Sequence, residues 1–132
     1  MTASDTASHR AILAATAAHD KLATDLVVLD VSDHIALTDV FVLCSGRNER
    51  MVQAIADEVE ERLLGDGAKR LRQEGRTEGR WILLDFGDIV VHVFHEEERV
   101  YYQLERLWRD CPLIALPTNL TTGRDSKPQE GL

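Results

Sequence analysis

The sequence predicts a single α/β domain, built on a mixed sheet of about five strands and flanked by about three helices. Two apolar runs rich in β-branched residues, 81–86 and 89–94, flank Gly87-Asp88, which is typical of a two-residue hairpin loop. A block of three glutamates at 96–98 then favours the start of a helix, because the helix dipole stabilises negative charge there. With 132 residues, the chain can bury a hydrophobic core without disulfides or a structural metal.

The elements before this hairpin follow from hydrophobic periodicity. Residues 25–31 and 39–45 are apolar and β-branched, so they predict two strands that pair with each other. Residues 8–23 are rich in alanine and predict a first helix, whose expected buried stripe is Ile12, Ala15, His19 and Leu22. Residues 48–64 predict the clearest helix, with Gly65 expected as its left-handed cap. The expected buried stripe of that helix is Val52, Ile55, Val59 and Leu63.

After the second helix, a short strand is predicted at residues 69–73, within a glycine-containing loop. The last helix is predicted over residues 96–109, and Pro112 ends it. Its expected buried stripe is Val100, Leu104, Leu107 and Trp108.

Strand periodicity also predicts which side chains share a face of the sheet. Trp81, Leu83 and Asp85 are expected on one face, while Ile82, Leu84 and Phe86 are expected on the other. Both faces are therefore largely apolar and need cover. About three helices do not screen both faces of about five strands fully, so we expect an exposed remainder that is suited to docking another protein.

Composition sets the broad class of protein. Apolar residues make up 44% and charged residues 29%, which is typical of a globular protein, and no apolar run is long enough to cross a bilayer. The first twenty residues lack the apolar centre of a secretory signal, so we expect a cytoplasmic protein. Residues 8–117 form the expected domain, whereas the small and polar residues of 1–7 and 118–132 are typical of disordered ends.

The net charge of −8 argues against a primary nucleic-acid binder, because it repels a phosphate backbone. Residues 69–80 are a local exception, and we interpret their basic side chains as a solvated strand and loop in preference to an RNA contact. Cys44 and Cys111 match neither a disulfide framework nor the spacing of metal ligands, so they are expected to be buried or incidental thiols.

Catalytic patterns are weak throughout the chain. Ser45-Gly46 at a strand-to-helix turn resembles a phosphate-holding turn of nucleotidyltransferases, but that chemistry also needs two carboxylates at period two to hold magnesium. The aspartate pairs 30/33 and 85/88 have odd spacing, which places them on opposite faces or in turns. The predicted strands therefore carry no acid-x-acid pair of the kind that nucleotidyl transfer needs.

Histidines and potential nucleophiles are likewise better explained by the fold. His92, His95 and Glu96 lack the spacing that completes a metal site, so His92 is expected as a hydrogen-bonded sheet histidine and His95 as a cap of the last helix. Ser45 lacks a nucleophile elbow, and Cys44 is embedded among apolar residues. We therefore predict no catalytic residue, no metal and no cofactor.

Two large aromatic residues, Trp81 and Tyr102, are candidates for binding. Only 5% of the residues are aromatic, and Trp81 stands at the beginning of a predicted strand. Aromatic rings are favoured interface anchors, because they bury a large area with few torsions to freeze. From the residues alone, interface anchoring and ordinary core packing explain the two rings equally well.

Over residues 10–113 the sequence resembles the ribosomal silencing factor family, also called the Iojap family. The resemblance is most specific in two segments, EGRWILLDFGDIVVHVF at 78–94 and YQLERLW at 102–108. It extends to shorter stretches: LDVS at 29–32, TDVFV at 38–42, Ser45-Gly46 and QAIADEVE at 53–60. The family implies an α/β fold related to nucleotidyltransferases without their catalytic carboxylates.

The same resemblance implies a function and a site. Members are expected to bind the large-subunit ribosomal protein uL14 at the inter-subunit face, to block subunit joining and so to repress translation under nutrient limitation; the free protein is expected to be a homodimer. Alternatives are a large-subunit assembly factor and a nucleotide-binding remnant of a nucleotidyltransferase. The implied partner-binding residues are Trp81 as the central anchor, Leu83 and Tyr102 beside it, and Arg80 and Glu98 as polar groups. No membrane or sequence-specific nucleic-acid partner is expected.

Overall fold

The structure, a computed structural model, describes residues 2–102 and 109–120, apart from the side chains of residues 100–102. Within these described residues, three α-helices and five strands form one α/β domain, as predicted. The elements are, in chain order, α1 (Asp5–Asp20), β1 (Thr24–Asp30), β2 (Val40–Gly46), α2 (Glu49–Gly65), β3 (Arg72–Glu74), β4 (Trp81–Asp85), β5 (Ile89–His95) and α3 (Glu96–Tyr102), followed by a 3-10 turn (Thr118–Leu120).

The strands form one mixed sheet in the order β1-β2-β5-β4-β3. β2 runs parallel to β5, from the pair Val40 and Ile89 to the pair Gly46 and His95, while the other neighbours are antiparallel. A parallel pair needs a crossover, and here α2 together with β3 and β4 supplies it. The predicted pairing of β1 with β2 is confirmed.

The β4–β5 hairpin has the two-residue loop that the sequence predicts. The Phe86 amide donates to the Ile89 carbonyl at 3.0 Å, so Gly87 and Asp88 are the two residues between the paired ends. The Asp85 carboxylate accepts from the Gly87 amide at 2.9 Å and holds the turn. This loop sets the register in which Trp81 lies opposite Phe94.

Both α1 and α2 pack on one face of the sheet, called here the helix face. The strand residues that bury against them include Val28, Val40, Val42, Cys44, Ile82, Leu84, Val91 and Val93. The four predicted α2 residues, Val52, Ile55, Val59 and Leu63, are all buried. None of the helices in residues 2–102 and 109–120 is both long and apolar enough to span a membrane.

The opposite side of the sheet, called here the second face, carries a separate apolar cluster. Its buried members are Leu29, Val31, Leu43, Phe94 and Cys111. Partly buried residues pack against them, namely Val27, Ile35, Phe41 and Trp81. The two larger helices thus cover one face, whereas the second face retains partly exposed side chains.

The chain after α3 returns along the free edge of β1. The Asp30 amide donates to the Pro112 carbonyl at 2.8 Å, and the Ile114 amide donates to the Val28 carbonyl at 2.8 Å. The same segment places Cys111 in the second-face cluster and Leu120 in the helix-face core. It therefore blocks part of an edge that would otherwise present unpaired backbone groups.

The structure corrects the prediction for α1. The helix starts at Asp5 instead of residue 8, because the Ser4 hydroxyl caps it by accepting from the Ala7 amide at 3.0 Å. Its buried face is made of alanines: Ala7, Ala11, Ala14, Ala15, Ala17 and Ala18. Of the predicted stripe of Ile12, Ala15, His19 and Leu22, only Ala15 is buried. Small side chains allow the helix backbone to approach the sheet closely, which an apolar-spacing argument does not detect.

The left-handed cap of α2 lies two residues beyond the predicted Gly65. α2 includes Gly65, and Gly67 adopts φ +95°. The Ala68 amide donates to the Leu63 carbonyl and the Gly67 amide to the Leu64 carbonyl, both at 3.0 Å, which is a Schellman motif. α1 ends with the same pair of bonds, but its left-handed position is Leu22, at φ +67°.

The chain ends also differ from the prediction. The sequence predicts disorder for residues 1–7, whereas the Ala3 and Ser4 amides donate to the carboxylates of Asp30 and Asp39, both at 2.9 Å. The sequence also predicts disorder from residue 118, whereas Thr118–Leu120 form a 3-10 turn in which Leu120 is only 1% exposed. Residues 121–132 lie outside the described residues, as do the predicted last-helix positions 103–108 and the Val100 side chain.

The two Schellman motifs yield a matched stability prediction. Leu22→Gly is expected to raise the free energy of unfolding by about 1 kcal/mol, because a left-handed backbone penalises a Cβ and this side chain is 73% exposed. Gly67→Ala is expected to lower the free energy of unfolding by about 1 kcal/mol, because it adds a Cβ to a left-handed backbone. Urea unfolding measures both changes, and a loss of stability in Leu22→Gly would contradict the assignment.

Candidate functional site

Trp81 stands at the start of β4 and belongs to the second face. Burial alternates along the strand, with Trp81 and Leu83 partly buried and Ile82 and Leu84 fully buried on the helix face. The parity predicted from the sequence is therefore confirmed. The indole and Leu83 share the face that the two larger helices leave uncovered.

The indole of Trp81 packs against side chains of β5. Its ring is stacked on Phe94, with centroids 5.1 Å apart and planes at 27°, and it lies 6.0 Å from the His92 ring. The indole Nε1 donates to His92 Nδ1 at 3.1 Å. Part of the side chain remains accessible, so this ring combines intramolecular packing with an exposed area.

His92 is a buried polar residue in the middle of the second face. It is 4% exposed, and burial lowers its pKa to about 4, with a further lowering from the positive charge of Arg99. The ring is therefore neutral near pH 7. It is hydrogen-bonded within the sheet, as the sequence predicts.

Arg80, next to Trp81, connects β4 to both neighbouring helices. Its guanidinium donates to Glu98 at 2.9 and 3.1 Å, to Glu97 at 3.0 Å and to Glu49 of α2 at 3.1 Å. These acceptors raise the pKa of Arg80, and Glu98 has the largest effect. The pKa of Glu49 is lowered, mainly by a hydrogen bond from the Glu49 backbone amide and next by the hydrogen bond from Arg80. Arg80 and Glu98, which the resemblance implies as polar site residues, thus pair with each other.

The start of α3 is held by the residue before it. His95 Nδ1 accepts from the Glu97 amide at 3.1 Å, which confirms His95 as a cap. Tyr102 is the last residue of α3, but its side chain lies outside the described residues. Its role as a neighbour of Trp81 therefore stays a prediction.

Arg99 is a buried cation that sequence reasoning missed. It is 5% exposed and donates from Nη1 to Ser45 Oγ at 3.0 Å and from Nη2 to the Asp25 carbonyl at 2.7 Å. The guanidinium also lies 5.8 Å from the centroid of the Phe94 ring. An arginine after three glutamates suggests surface charge, and only the packing of α3 on the sheet shows that it is enclosed.

The carboxylates considered for nucleotidyl transfer stabilise turns and chain ends. Asp30 accepts from the amides of Ala3 and Ser32 and from the Ser32 hydroxyl; burial raises its pKa, but these hydrogen bonds outweigh burial and lower it. Asp88 pairs with Arg10 at 3.1 Å.

The turn between β2 and α2, which was the predicted phosphate-holding turn, also has its side chains in internal hydrogen bonds. Ser45 accepts from the buried Arg99, and the side chain of Asn48 caps α2 by accepting from the Met51 amide at 2.8 Å. The turn between β2 and α2 is therefore used by internal hydrogen bonds.

The basic stretch 69–80 is compensated by nearby acids. Arg70 and Arg76 both pair with Glu60 of α2, and Arg76 also pairs with Asp57. Arg72 pairs with Glu74 on the same strand at 3.1 Å. This arrangement supports a solvated strand and loop over an RNA contact.

Both cysteines are free and buried, as predicted. Cys44 lies on the helix face, and burial raises its pKa to about 12. Burial, followed by Asp110 and other acids nearby, raises the pKa of Cys111, whose Sγ lies 3.4 Å from His34 Nδ1. Raised thiol pKa values favour the unreactive protonated form.

Arg99 provides a test of how α3 is held. Arg99→Lys is expected to lower the free energy of unfolding by about 2 kcal/mol, because an ammonium group cannot reproduce the two-pronged contact with Ser45 and Asp25. The exposed Arg47→Lys is the control and should change it by less than about 0.5 kcal/mol. Equal effects in urea unfolding would contradict a buried anchoring role.

His92 predicts part of the pH dependence of stability. Its pKa of about 4 lies below the ordinary 6.5, so between these values the unfolded chain binds a proton that the folded one excludes. The stability contribution is complete above about pH 6.5 and is lost as the pH falls toward 4, a difference of roughly 3 kcal/mol. In His92→Asn and His92→Leu, the free energy of unfolding should fall less between pH 6.5 and 4 than in the unmodified protein. Parallel curves of unfolding free energy against pH would contradict this.

Comparison with known proteins identifies the family. A family model described as "Ribosomal silencing factor during starvation" matches residues 4–131. Ribosomal silencing factor RsfS of Bacillus subtilis is 45% identical over 104 residues, which are 79% of this chain and 88% of that protein. The mouse protein named "Mitochondrial assembly of ribosomal large subunit protein 1" is 32% identical over 89 residues, 65% of this chain and 39% of that protein.

The fold has a solved counterpart as well. A crystal structure of a Chromobacterium violaceum protein superimposes with a TM-score of 0.74 at 31% identity, covering 92% of this chain and 97% of that one. The maize relative, 32% identical over 81% of this chain and 46% of its own length, is named Protein Iojap, chloroplastic. The chain therefore belongs to the ribosomal silencing factor family, RsfS or Iojap.

Proposed function

We propose that this protein is a non-enzymatic factor that binds the large ribosomal subunit and prevents the small subunit from joining it. The docking partner is ribosomal protein uL14 at the inter-subunit face, and the effect is repression of translation under nutrient limitation. The name of the Bacillus subtilis relative and the description of the family model support this proposal. It requires no catalytic residue, metal or cofactor, since the block is steric.

The observation that carries the proposal is the second face with Trp81 on it. A partly exposed tryptophan on a sheet strand is held by backbone pairing and by stacking on Phe94, so docking would freeze few further torsions. Leu83, on the same strand face, extends the apolar surface. Aromatic anchors at the centre of an interface carry most of the binding free energy.

Charge favours docking on protein over docking on ribosomal RNA. The net charge of −8 repels phosphate, and the arginines of residues 69–80 described above are paired with acids. In this proposal Arg80 and Glu98, which pair with each other at 2.9 Å, would orient a partner through charge-assisted hydrogen bonds. Arg80 would contribute specificity more than affinity, because its donors already have acceptors.

The direct test is subunit joining with purified components. Separated subunits are mixed with the protein at joining concentrations of magnesium and resolved on a sucrose gradient. The proposal expects the subunits to sediment apart. Complete reassembly at saturating protein overturns it.

The anchor has a quantitative test. Trp81→Ala is expected to weaken binding to the large subunit by about 2 kcal/mol or more, roughly thirtyfold, because it removes the central aromatic area. Leu64→Ala is the matched control: this leucine is 47% exposed on α2, on the opposite side of the sheet, and should bind normally. Binding is measured by cosedimentation and folding by circular dichroism; an unchanged affinity for Trp81→Ala moves the interface elsewhere.

A role in large-subunit assembly is the second candidate, favoured by the name of the mouse relative. It would use the same surface but act on precursor particles. Cells that lack the protein should then accumulate incomplete large subunits during growth. Normal subunit profiles in growing cells, with unrestrained joining only in starvation, would favour silencing instead.

We further propose that the free protein is a cytoplasmic homodimer that pairs through the same apolar face. Self-pairing would cover the second face when no ribosome is available. Sedimentation velocity checks this: Trp81→Ala should shift the protein toward the monomer. A dimer of unchanged stability in that variant would place the contact elsewhere.

A further inference from the structure

His92 is the polar side chain that interrupts the aromatic cluster on the second face. Its ring centroid lies 4.8 Å from that of Phe41, 6.0 Å from Trp81 and 6.2 Å from Phe94. With 4% of its surface exposed, it is too buried to contact a docked partner directly. Any contribution that it makes to docking must therefore pass through a neighbour.

The hydrogen bond to Trp81 fixes the roles of the two imidazole nitrogens. An indole N–H can only donate, so His92 Nδ1 is the acceptor at 3.1 Å. A neutral imidazole has one acceptor nitrogen, which leaves the proton on Nε2. Nε2 is buried and has no hydrogen-bond partner in the described part of the chain.

That arrangement is costly for packing alone. An apolar side chain at position 92 would fill the cluster without leaving a buried N–H unpaired. Among the described residues, the one polar contact that the His92 side chain makes is the bond from the indole. The geometry therefore favours a role for His92 that depends on its acceptor nitrogen.

We propose that His92 is a positioning residue that fixes the orientation of the Trp81 indole at the docking surface. This inference rests on the proposed function, since it assumes that Trp81 contacts the large subunit. The bond to Nδ1 selects one indole orientation, and stacking on Phe94 supports the same orientation. A side chain already held in one orientation loses less conformational entropy on docking, which strengthens binding without a new contact.

The first measurement uses the unmodified free protein. A scalar coupling across the hydrogen bond, between ¹⁵N-labelled Trp81 Nε1 and His92 Nδ1, is expected in the NMR spectrum. The Trp81 indole proton should also exchange slowly with solvent, and Trp81→Phe assigns its resonance. A rapidly exchanging indole proton without this coupling overturns the proposal.

The second measurement compares two substitutions. His92→Asn places an amide oxygen near the position of Nδ1, whereas His92→Leu fills a similar volume without an acceptor. We expect His92→Leu to speed indole proton exchange and to weaken binding to the large subunit about tenfold, while His92→Asn recovers much of both. Circular dichroism and urea unfolding establish whether each variant is folded. If a variant does not fold, the scalar coupling in the unmodified protein decides whether the positioning role stands.

The outcomes separate this inference from the proposed function. If the unmodified protein fails to bind the large subunit, the proposed function fails. If it binds and folded His92→Leu binds equally well, only the positioning role fails. Equal losses of affinity in His92→Leu and His92→Asn would indicate packing alone and would also overturn the positioning role.

Discussion

The register of the β4–β5 hairpin is the constraint on which the rest of the structure depends. Side chains alternate between the faces of a strand, so a slip of one residue would move Trp81 to the helix face and Ile82 to the second face. The two-residue loop at Gly87-Asp88 prevents this slip, with the Phe86 amide bonded to the Ile89 carbonyl. The same register pairs Trp81 with Phe94, and that pairing creates the aromatic stack.

Two buried polar groups organise the second face around this stack. His92 accepts from the indole, and Arg99 links α3 to the end of β2 and to the β1 backbone at Asp25, where φ is +53°. Buried polar groups are tolerated when they are hydrogen-bonded, and they then restrict the number of packings that the face can adopt. A restricted face suits the proposed steric function, because preorganised surfaces bind with less entropic loss.

Local sequence patterns were sufficient to predict most helices and strands. They failed where small side chains or contacts between distant residues determine the structure. Apolar periodicity predicted α2, the four longer strands and the hairpin loop to within a residue or two. It predicted a helix for α1 but not its buried face, because that face is made of small alanines, which give a weaker periodic signal than large apolar side chains. It also does not detect the contacts of Ser4 and Leu120, because these contacts are with residues distant in sequence.

By itself, the sequence determined the fold class, the faces on which Trp81 and Leu83 lie, and the family, because these follow from strand periodicity and from motifs that are contiguous in the chain. Only the tertiary structure decided that α1 and α2 share one face, that Arg80 and Glu98 pair, and that Arg99 is enclosed. The physical reason is sequence separation: Arg99 meets Asp25 across 74 positions and Ser45 across 54, and no local pattern encodes such contacts.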